Sequence, residues 1–208
     1  MSPATTRRSF LRSAGAGTAL GVAAGIAGTA ITHSAAHAMS DTEPSAVDIG
    51  FCTDMTVHHV QALAMCQRVL GRDTGGPVQA AAVEVLQTQA IEVGMMRAWL
   101  TDWGQSTATP TMAMGWMGMN DGEGMPTAMM PGLASEAEMR ALGSASGIDQ
   151  GRLWLKLMRT HHVGGVDMAT AAIEMASAEK VRRIAQVQVD VQTYEIGQYD
   201  LLLASDYA

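Results

Sequence analysis

Residues 48–65 read DIGFCTDMTVHHVQALAM, and residues 151–168 read GRLWLKLMRTHHVGGVDM. Both segments contain Met-x-x-His-His, followed six residues later by another methionine. The same offset of 103 residues relates Met55 to Met158, His58 to His161, His59 to His162, Met65 to Met168, Gln89 to Gln192 and Glu92 to Glu195. Self-similarity at one fixed offset indicates that a structural unit has been duplicated.

Glycine and proline divide the chain after residue 38 into helical segments, and no segment shows the strict alternation of a strand. The predicted helices cover about 45–71, 77–104, 135–143, 149–175 and 179–204. Ser45, with Asp48 in the first turn, is a predicted helix cap, and Ser135 with Glu138 forms a predicted capping box.

These helices form two matching hairpins, at about 45–104 and about 148–205. A long methionine-rich crossover loop, at about 105–147, connects them. We therefore predict one all-α domain over residues 39–208, a four-helix bundle made of two duplicated hairpins with a pseudo-twofold axis.

The first 38 residues resemble a targeting signal. Residues 6–12, TRRSFLR, match a twin-arginine export signal, and Ala36-His37-Ala38 has the pattern of a signal-peptide cleavage site. We predict a periplasmic, extracytoplasmic or secreted protein. An uncleaved membrane anchor is the alternative, because residues 14–31 are uncharged, but their five glycines make a poor membrane span.

The charge of the chain excludes one class of partner. The formal net charge is −7, and removal of the leader with its three arginines takes it to −10. An acidic protein of this kind is not expected to bind nucleic acid, whose recognition depends on Lys and Arg.

A helical wheel tests whether the repeated residues of the first helix converge. From Asp48 to Cys66, the distinctive side chains fall within about 140° of arc, on the face expected to be buried. His58 and His59 lie 100° apart, so we expect one to face the core and the other the boundary with a neighbouring helix. Met55 lies one turn from both histidines.

The second helix of each hairpin carries polar groups on one face, with Met96 beside them in the first repeat. Gln89 and Glu92, like Gln192 and Glu195, can approach the His-His segment of their own hairpin. The carboxylates of Glu92 and Glu195 are expected either to orient an imidazole or to bind a metal directly.

Thioether and imidazole together favour a soft metal ion. Copper, especially Cu(I), with Ag(I) as its mimic, suits this donor set, whereas zinc has little use for methionine. Met replaces the Glu of the Glu-x-x-His motif of di-iron bundles, which argues against oxygen chemistry. The predicted ligands are Met55, His58, His59, Met65, Met96, Met158, His161, His162 and Met168.

The two cysteines, Cys52 and Cys66, fall in the first predicted helix. Fourteen residues of helix separate them by about 21 Å, which excludes a disulfide between them. Three interpretations remain: buried apolar residues, an intermolecular bridge, or additional soft-metal ligands.

The crossover loop is rich in methionine. Seven lie within nineteen residues: Met112, Met114, Met117, Met119, Met125, Met129 and Met130. One interpretation is a mobile thioether arm that captures Cu(I), with Met112, Met114, Met117 and Met119 as its ligands. The other is a flexible lid over the bundle.

The motifs resemble those of the domain-of-unknown-function 305 family. Residues 48–65 are similar to its first signature, Gln89-x-x-Glu92-x-x-x-Met96 to its second-helix pattern, and Met130-Pro-Gly132 and residues 152–162 to its linker and second signature. The resemblance covers nearly all of the chain after the leader. It implies a ferritin-like, usually exported four-helix bundle, in which some members bind copper or silver through Met and His.

Three positions depart from the family pattern. Gly151 stands where the family usually has Asp, which removes any role of that carboxylate from the second repeat. Cys52 and Cys66 occupy positions that usually hold other small residues.

We therefore predict an exported copper-binding protein, not an enzyme, that sequesters or delivers the metal, with a copper transporter or chaperone as its partner. The alternative is a metal-free structural or partner-binding bundle, in which the His-His pairs bond to Gln89, Glu92, Gln192 and Glu195. A copper-dependent redox enzyme is a third hypothesis that no nucleophile–base pair supports. A homo-oligomer is compatible with the sequence, but no feature of the sequence supports one.

Overall fold

The computed structural model of the protein describes residues 43–208. The predicted twin-arginine leader (1–38) and the domain boundary at residue 39 lie outside the described residues. Five α-helices are present in the described part of the chain: α1 (Ala46–Val69), α2 (Gly76–Asp102), α3 (Glu136–Ser144), α4 (Gly147–Met175) and α5 (Glu179–Ala204). The predicted ends of these helices lie within two residues of the observed ends, so the all-α prediction is confirmed.

Two helical hairpins form the bundle. The helix α1 packs against α2, α4 packs against α5, and the hairpins meet where α1 packs against α4. No helix among residues 43–208 is both long enough and apolar enough to cross a membrane.

The buried core consists of two clusters related by the repeat. The first core cluster includes Phe51 and Met55 from the start of α1 together with Met168 from the later part of α4. The second core cluster includes Trp154 and Met158 from the start of α4 together with Met65 from the later part of α1. Each of these residues in one cluster therefore has its counterpart, 103 residues away in the sequence, in the other cluster. This is the arrangement expected for a pseudo-twofold axis between α1 and α4.

A capping box fixes the start of α1. Oδ2 of Asp48 accepts hydrogen bonds from the backbone N–H and the hydroxyl of Ser45, both at 2.7 Å. Oδ1 of Asp48 accepts from the backbone N–H of Ala178, at the start of α5, at 2.9 Å. This buried carboxylate therefore satisfies free N–H groups at two helix starts and ties the hairpins together. The predicted Ser135–Glu138 capping box is also present.

The second repeat replaces that carboxylate by an aromatic residue. A Cβ at Gly151, the counterpart of Asp48, would lie 2.5 Å from the Thr74 carbonyl oxygen and 2.6 Å from the Tyr207 ring. The Tyr207 hydroxyl donates to that same Thr74 oxygen at 2.7 Å. Tyr207, which follows α5, therefore occupies the space of the missing Asp and links the second hairpin to the α1–α2 turn.

The crossover, predicted as a long methionine-rich loop over about 105–147, has a defined structure over residues 112–129. The strands β1 (Met112–Ala113) and β2 (Met125–Pro126) form an antiparallel ribbon, accompanied by three 3-10 turns. Oδ2 of Asp54, on α1, accepts from the backbone N–H of Met114 at 2.7 Å and from the indole N–H of Trp116 at 2.8 Å. Contacts with the bundle therefore hold the crossover in place, and local sequence patterns do not indicate such contacts.

Candidate metal centre

The four histidines lie at the middle of the bundle, and all are fully buried. The rings of His58 on α1 and His161 on α4 stack with their centroids 3.7 Å apart and their planes 32° apart. His58 and His161 are equivalent positions of the repeat, so the stack lies where the two hairpins meet.

The other two histidines pair with carboxylates of their own hairpins. Nε2 of His59 lies 2.6 Å from Oε2 of Glu92, and Nε2 of His162 lies 2.7 Å from Oε2 of Glu195. The same contact therefore occurs twice at the repeat offset. His58 and His59 point toward different neighbours, α4 and α2 respectively, which accords with their 100° separation on the helix.

The hydrogen bonds fix the protonated nitrogen of three rings. A carboxylate or carbonyl oxygen can only accept, so Nε2–H donates from His59 to Glu92, from His162 to Glu195, and from His161 to the His58 carbonyl oxygen at 2.8 Å. In the neutral form of each ring, Nδ1 carries a lone pair, and it has no hydrogen-bond partner among residues 43–208. Metal-binding histidines have this arrangement, because their second nitrogen usually donates to a carboxylate or carbonyl.

His58 is the least satisfied of the four. Neither of its ring nitrogens has a well-aligned hydrogen-bond partner among the described residues, although the Pro131 carbonyl lies near enough to favour the protonated ring. Burial, with neighbouring histidines as a smaller contribution, holds the pKa values of His58 and His161 well below the usual 6.5. Both rings are therefore neutral at pH 7. An unpaired buried N–H costs about 1–3 kcal/mol, so His58 has the character of a ligand position more than of a core residue.

The predicted methionine ligands divide between the two core clusters. Met55, Met96 and Met168 belong to the first core cluster, and Met65 and Met158 to the second. The nine predicted ligands thus do not surround one point. In residues 43–208, no group of three or more His, Cys, Asp or Glu side chains could hold a metal ion. A site here would combine imidazole with thioether or amide donors. That Met55 and Met158 are the thioethers nearest the histidines stays a prediction.

The predicted amide groups of Gln89 and Gln192 make no side-chain hydrogen bond to a histidine among the described residues. The side-chain oxygens of Gln89 and Gln192 are buried, and neither has a hydrogen-bond partner among the described residues. The Gln192 amide packs directly against Gly165, which leaves no room for a Cβ there.

Two residues at the centre make contacts that no sequence pattern indicates. Nε2 of Gln188, on α5, donates to Oε2 of Glu92 at 3.1 Å, yet its counterpart in the first repeat is Val85, so the repeat gave no signal for it. Gly132 has a φ of +88°, and a Cβ there would lie 2.9 Å from Nε2 of His58. The Met-Pro-Gly linker, residues 130–132, therefore packs directly on the stacked histidines.

The two ion pairs differ in their exposure. The Glu92 side chain is 15% exposed and the Glu195 side chain 8%. A groove of about 450 Å³ between α2 and α5, lined by Ile91, Glu92 and Val187 among others, reaches the first pair. In the second repeat, the Tyr199 ring lies 5.5 Å from that of His162. The first pair is therefore the more accessible from solvent.

Cys52 and Cys66 are free thiols, and both are buried. They lie in different core clusters, Cys52 in the first and Cys66 in the second. Burial raises the pKa of each thiol to about 12, so neither is a thiolate at neutral pH without a metal.

Comparisons with solved structures identify the fold. A DUF305 protein from Streptomyces coelicolor, named as a secreted protein, is 39% identical with a TM-score of 0.69, over 76% of this chain and 92% of that one. A DUF305 fragment from Deinococcus radiodurans is 28% identical with a TM-score of 0.65, over 78% and 99%. The ferritin-like bundle that the family resemblance implied is confirmed.

More distant structures share the bundle. CopM in its Cu(I)-bound form is 22% identical with a TM-score of 0.60, over 77% of this chain and 98% of that one, a likeness that shows the fold alone. No curated protein matches this sequence. The family model described as "Domain of unknown function (DUF305)" matches residues 48–203, most of the chain. The chain therefore belongs to the DUF305 family.

Proposed function

We propose that this chain is an exported copper-binding protein that sequesters or delivers Cu(I), with Ag(I) as its mimic, and that it binds rather than transforms its cargo. The histidines of the two Met-x-x-His-His repeats bind the ion, supported by the thioethers around them. A copper transporter or chaperone is the partner that delivery would require.

One observation carries this proposal. His59, His161 and His162 each have one ring nitrogen held by an oxygen acceptor and the other, Nδ1, buried without a hydrogen-bond partner. Burying three such nitrogens without partners is costly unless a cation uses their lone pairs. Imidazole and thioether donors together suit Cu(I). Glu92 and Glu195 then orient the imidazoles and raise their basicity, without binding the ion themselves.

The related structures support the choice of metal. CopM has been crystallised in forms that hold Cu(I), Cu(II) or Ag. The twin-arginine pattern at residues 6–12 and the name of the Streptomyces coelicolor relative support export.

A Cu(I) titration against a competing chelator tests the proposal. Wild type is compared with the variant H58A/H59A/H161A/H162A, and with E84Q as a surface control, since Glu84 is exposed. We expect tight binding by wild type and E84Q, and loss of the histidine-dependent ions from the fourfold variant. Unchanged Cu(I) stoichiometry and affinity in that variant would overturn the assignment.

The metal-free bundle is the second candidate, because the His–Glu pairs already satisfy one nitrogen of two rings and the stacked rings lie 3.7 Å apart. Metal analysis of the protein purified from its native compartment separates the candidates. Copper in proportion to protein supports the copper-binding proposal, and protein without any metal supports the structural one.

A further inference from the structure

Sulfur is concentrated at one end of the bundle. The first core cluster contains six sulfur side chains, each at most 3% exposed, drawn from α1, α2, α4 and the crossover. We name this group the sulfur chamber; its members are Cys52, Met55, Met96, Met114, Met130 and Met168. Three more methionines of the crossover, Met117, Met119 and Met125, pack against it and are half-buried.

The second core cluster contains less sulfur: three buried sulfur side chains, Met65, Cys66 and Met158, against six in the first. At the repeat offset, Met96 corresponds to Tyr199 and Cys52 to Leu155, and both replacements are buried in the second cluster. Leu and Met exchange at low cost in packed cores. Packing alone therefore does not account for six sulfur side chains at one end of the bundle.

A surface cavity borders the chamber at Met114. Its volume is about 520 Å³, and α1 and the crossover line it, with Asp54, Met112, Met114, Trp116 and Glu123 among the lining residues. Met112 is 44% exposed, whereas Met114, two residues later, is 3% exposed and belongs to the chamber. Met112 and Met114 thus define a path between solvent and the edge of the chamber.

The residue at the inner end of this path has an unusual backbone. Met114 has a φ of +64°, a left-handed conformation that is uncommon for a residue other than glycine. The Asp54 carboxylate holds it there by accepting its backbone N–H. Such conformations persist only where surrounding contacts impose them, and they concentrate at functional sites.

We propose that the sulfur chamber is a second binding site for a soft monovalent ion, Cu(I) or Ag(I), separate from the histidines and entered past Met112 and Met114. The inference rests on the proposed cargo but not on the histidine site. Thioethers from Met96 on α2, Met168 on α4 and Met114 in the crossover supply the donors. Cys52 joins them as a thiolate only when the ion displaces its proton, which leaves to solvent.

Matched methionine-to-leucine variants of the full chain test the chamber. The chamber variant is M96L/M114L/M168L, and the control variant is M95L/M139L/M175L, whose substitutions lie outside the chamber. Leu keeps the volume and removes only the sulfur. Thermal unfolding by circular dichroism verifies that these two variants and the fourfold histidine variant fold. Cu(I) is titrated against a competing chelator, in these variants and in the fourfold histidine variant of the preceding section.

We expect the chamber variant to lose one equivalent of Cu(I), the control variant to lose none, and the fourfold histidine variant to keep one. X-ray absorption of copper in the fourfold histidine variant should show sulfur neighbours and no imidazole. Equal Cu(I) stoichiometry in the chamber and control variants would overturn the inference. A fourfold histidine variant that binds no Cu(I) would also overturn it, but this result would leave the proposed function intact. Loss in the chamber variant alone would overturn the histidine assignment instead.

Discussion

The two halves of this bundle are alike at the middle and different at the ends. Each half pairs one histidine with a glutamate of its own hairpin, and each contributes one ring to the central stack. At one end, however, the crossover and Met96 surround the core with sulfur, whereas at the other Tyr199 takes the place of Met96 and Tyr207 closes the turn. The His–Glu pairs and the ring stack are common to both repeats, so they indicate a role that both repeats share. The sulfur-rich end is found in one half only, so it indicates a role specific to that end.

The largest expected effect lies at the centre that the halves share. The pKa values of His58 and His161 lie well below 6.5 in the folded protein, whereas the unfolded chain protonates both near pH 6.5. Below that pH, unfolding takes up two protons, so the free energy of unfolding falls as the pH falls. We expect a loss of about 2.7 kcal/mol per pH unit well below pH 6.5, measured by urea unfolding between pH 7.5 and pH 5.

The double variant H58F/H161F is the control for this pH dependence. It keeps two stacked aromatic rings and removes both titrating groups. Its unfolding free energy should vary less steeply with pH, and a slope equal to that of wild type would assign the acid sensitivity to other groups.

The next largest effect is expected where the end of the crossover packs against α4 and α1. Gly164 on α4 contacts the Pro131 carbonyl oxygen too closely for any Cβ, and its counterpart Gln61 on α1 bonds to the backbone of Ala134. We expect G164A to lower the free energy of unfolding by about 1–3 kcal/mol, because the added methyl group overpacks this contact. Chemical denaturation measures the change.

Gly197 supplies the matched control, since nothing lies within 4 Å of a Cβ there and it falls within α5. G197A should raise the free energy of unfolding by about 0.5–1 kcal/mol, because Ala is the better helix former. A G164A variant as stable as G197A would show that the linker does not press on α4.

A third comparison concerns the two His–Glu pairs. E92Q and E195Q should each weaken Cu(I) binding by about 10–100-fold, because each removes the carboxylate that orients an imidazole. We expect the larger loss for E195Q, since Gln188 remains beside His59 in E92Q. The residue at the repeat offset from Gln188 is Val85, whose side chain can donate no hydrogen bond to the second pair. The chelator competition of the first titration measures both. Equal losses would mean that Gln188 does not assist the first pair.

The sequence predicts the shared parts of the molecule well and the differing parts poorly. Helix bounds, the Ser45 cap and the approach of Glu92 to His59 follow from local pattern and helical spacing, which act within one hairpin. Asp54, Gln188 and Gly132 could not be assigned roles, because their contacts join elements distant in the sequence and have no counterpart in the other repeat. The division of the methionines between two clusters was missed for the same reason, since it depends on how α1 crosses α4.

The smallest effect is expected for Y207F, at the turn that each half closes in its own way. Y207F removes the hydroxyl that donates to the Thr74 carbonyl oxygen, one neutral hydrogen bond worth about 1 kcal/mol. D48N alters a buried carboxylate that accepts three hydrogen bonds, from Ser45 and Ala178, and should cost more, about 1.5–3 kcal/mol. Urea unfolding of both variants measures the difference. If Y207F cost as much as D48N, Tyr207 would be a full substitute for the carboxylate that Gly151 lacks. If Y207F lowers the free energy of unfolding less than D48N does, the ring of Tyr207 serves mainly to fill the space beside Gly151. The turn is then stabilised by packing more than by the hydrogen bond.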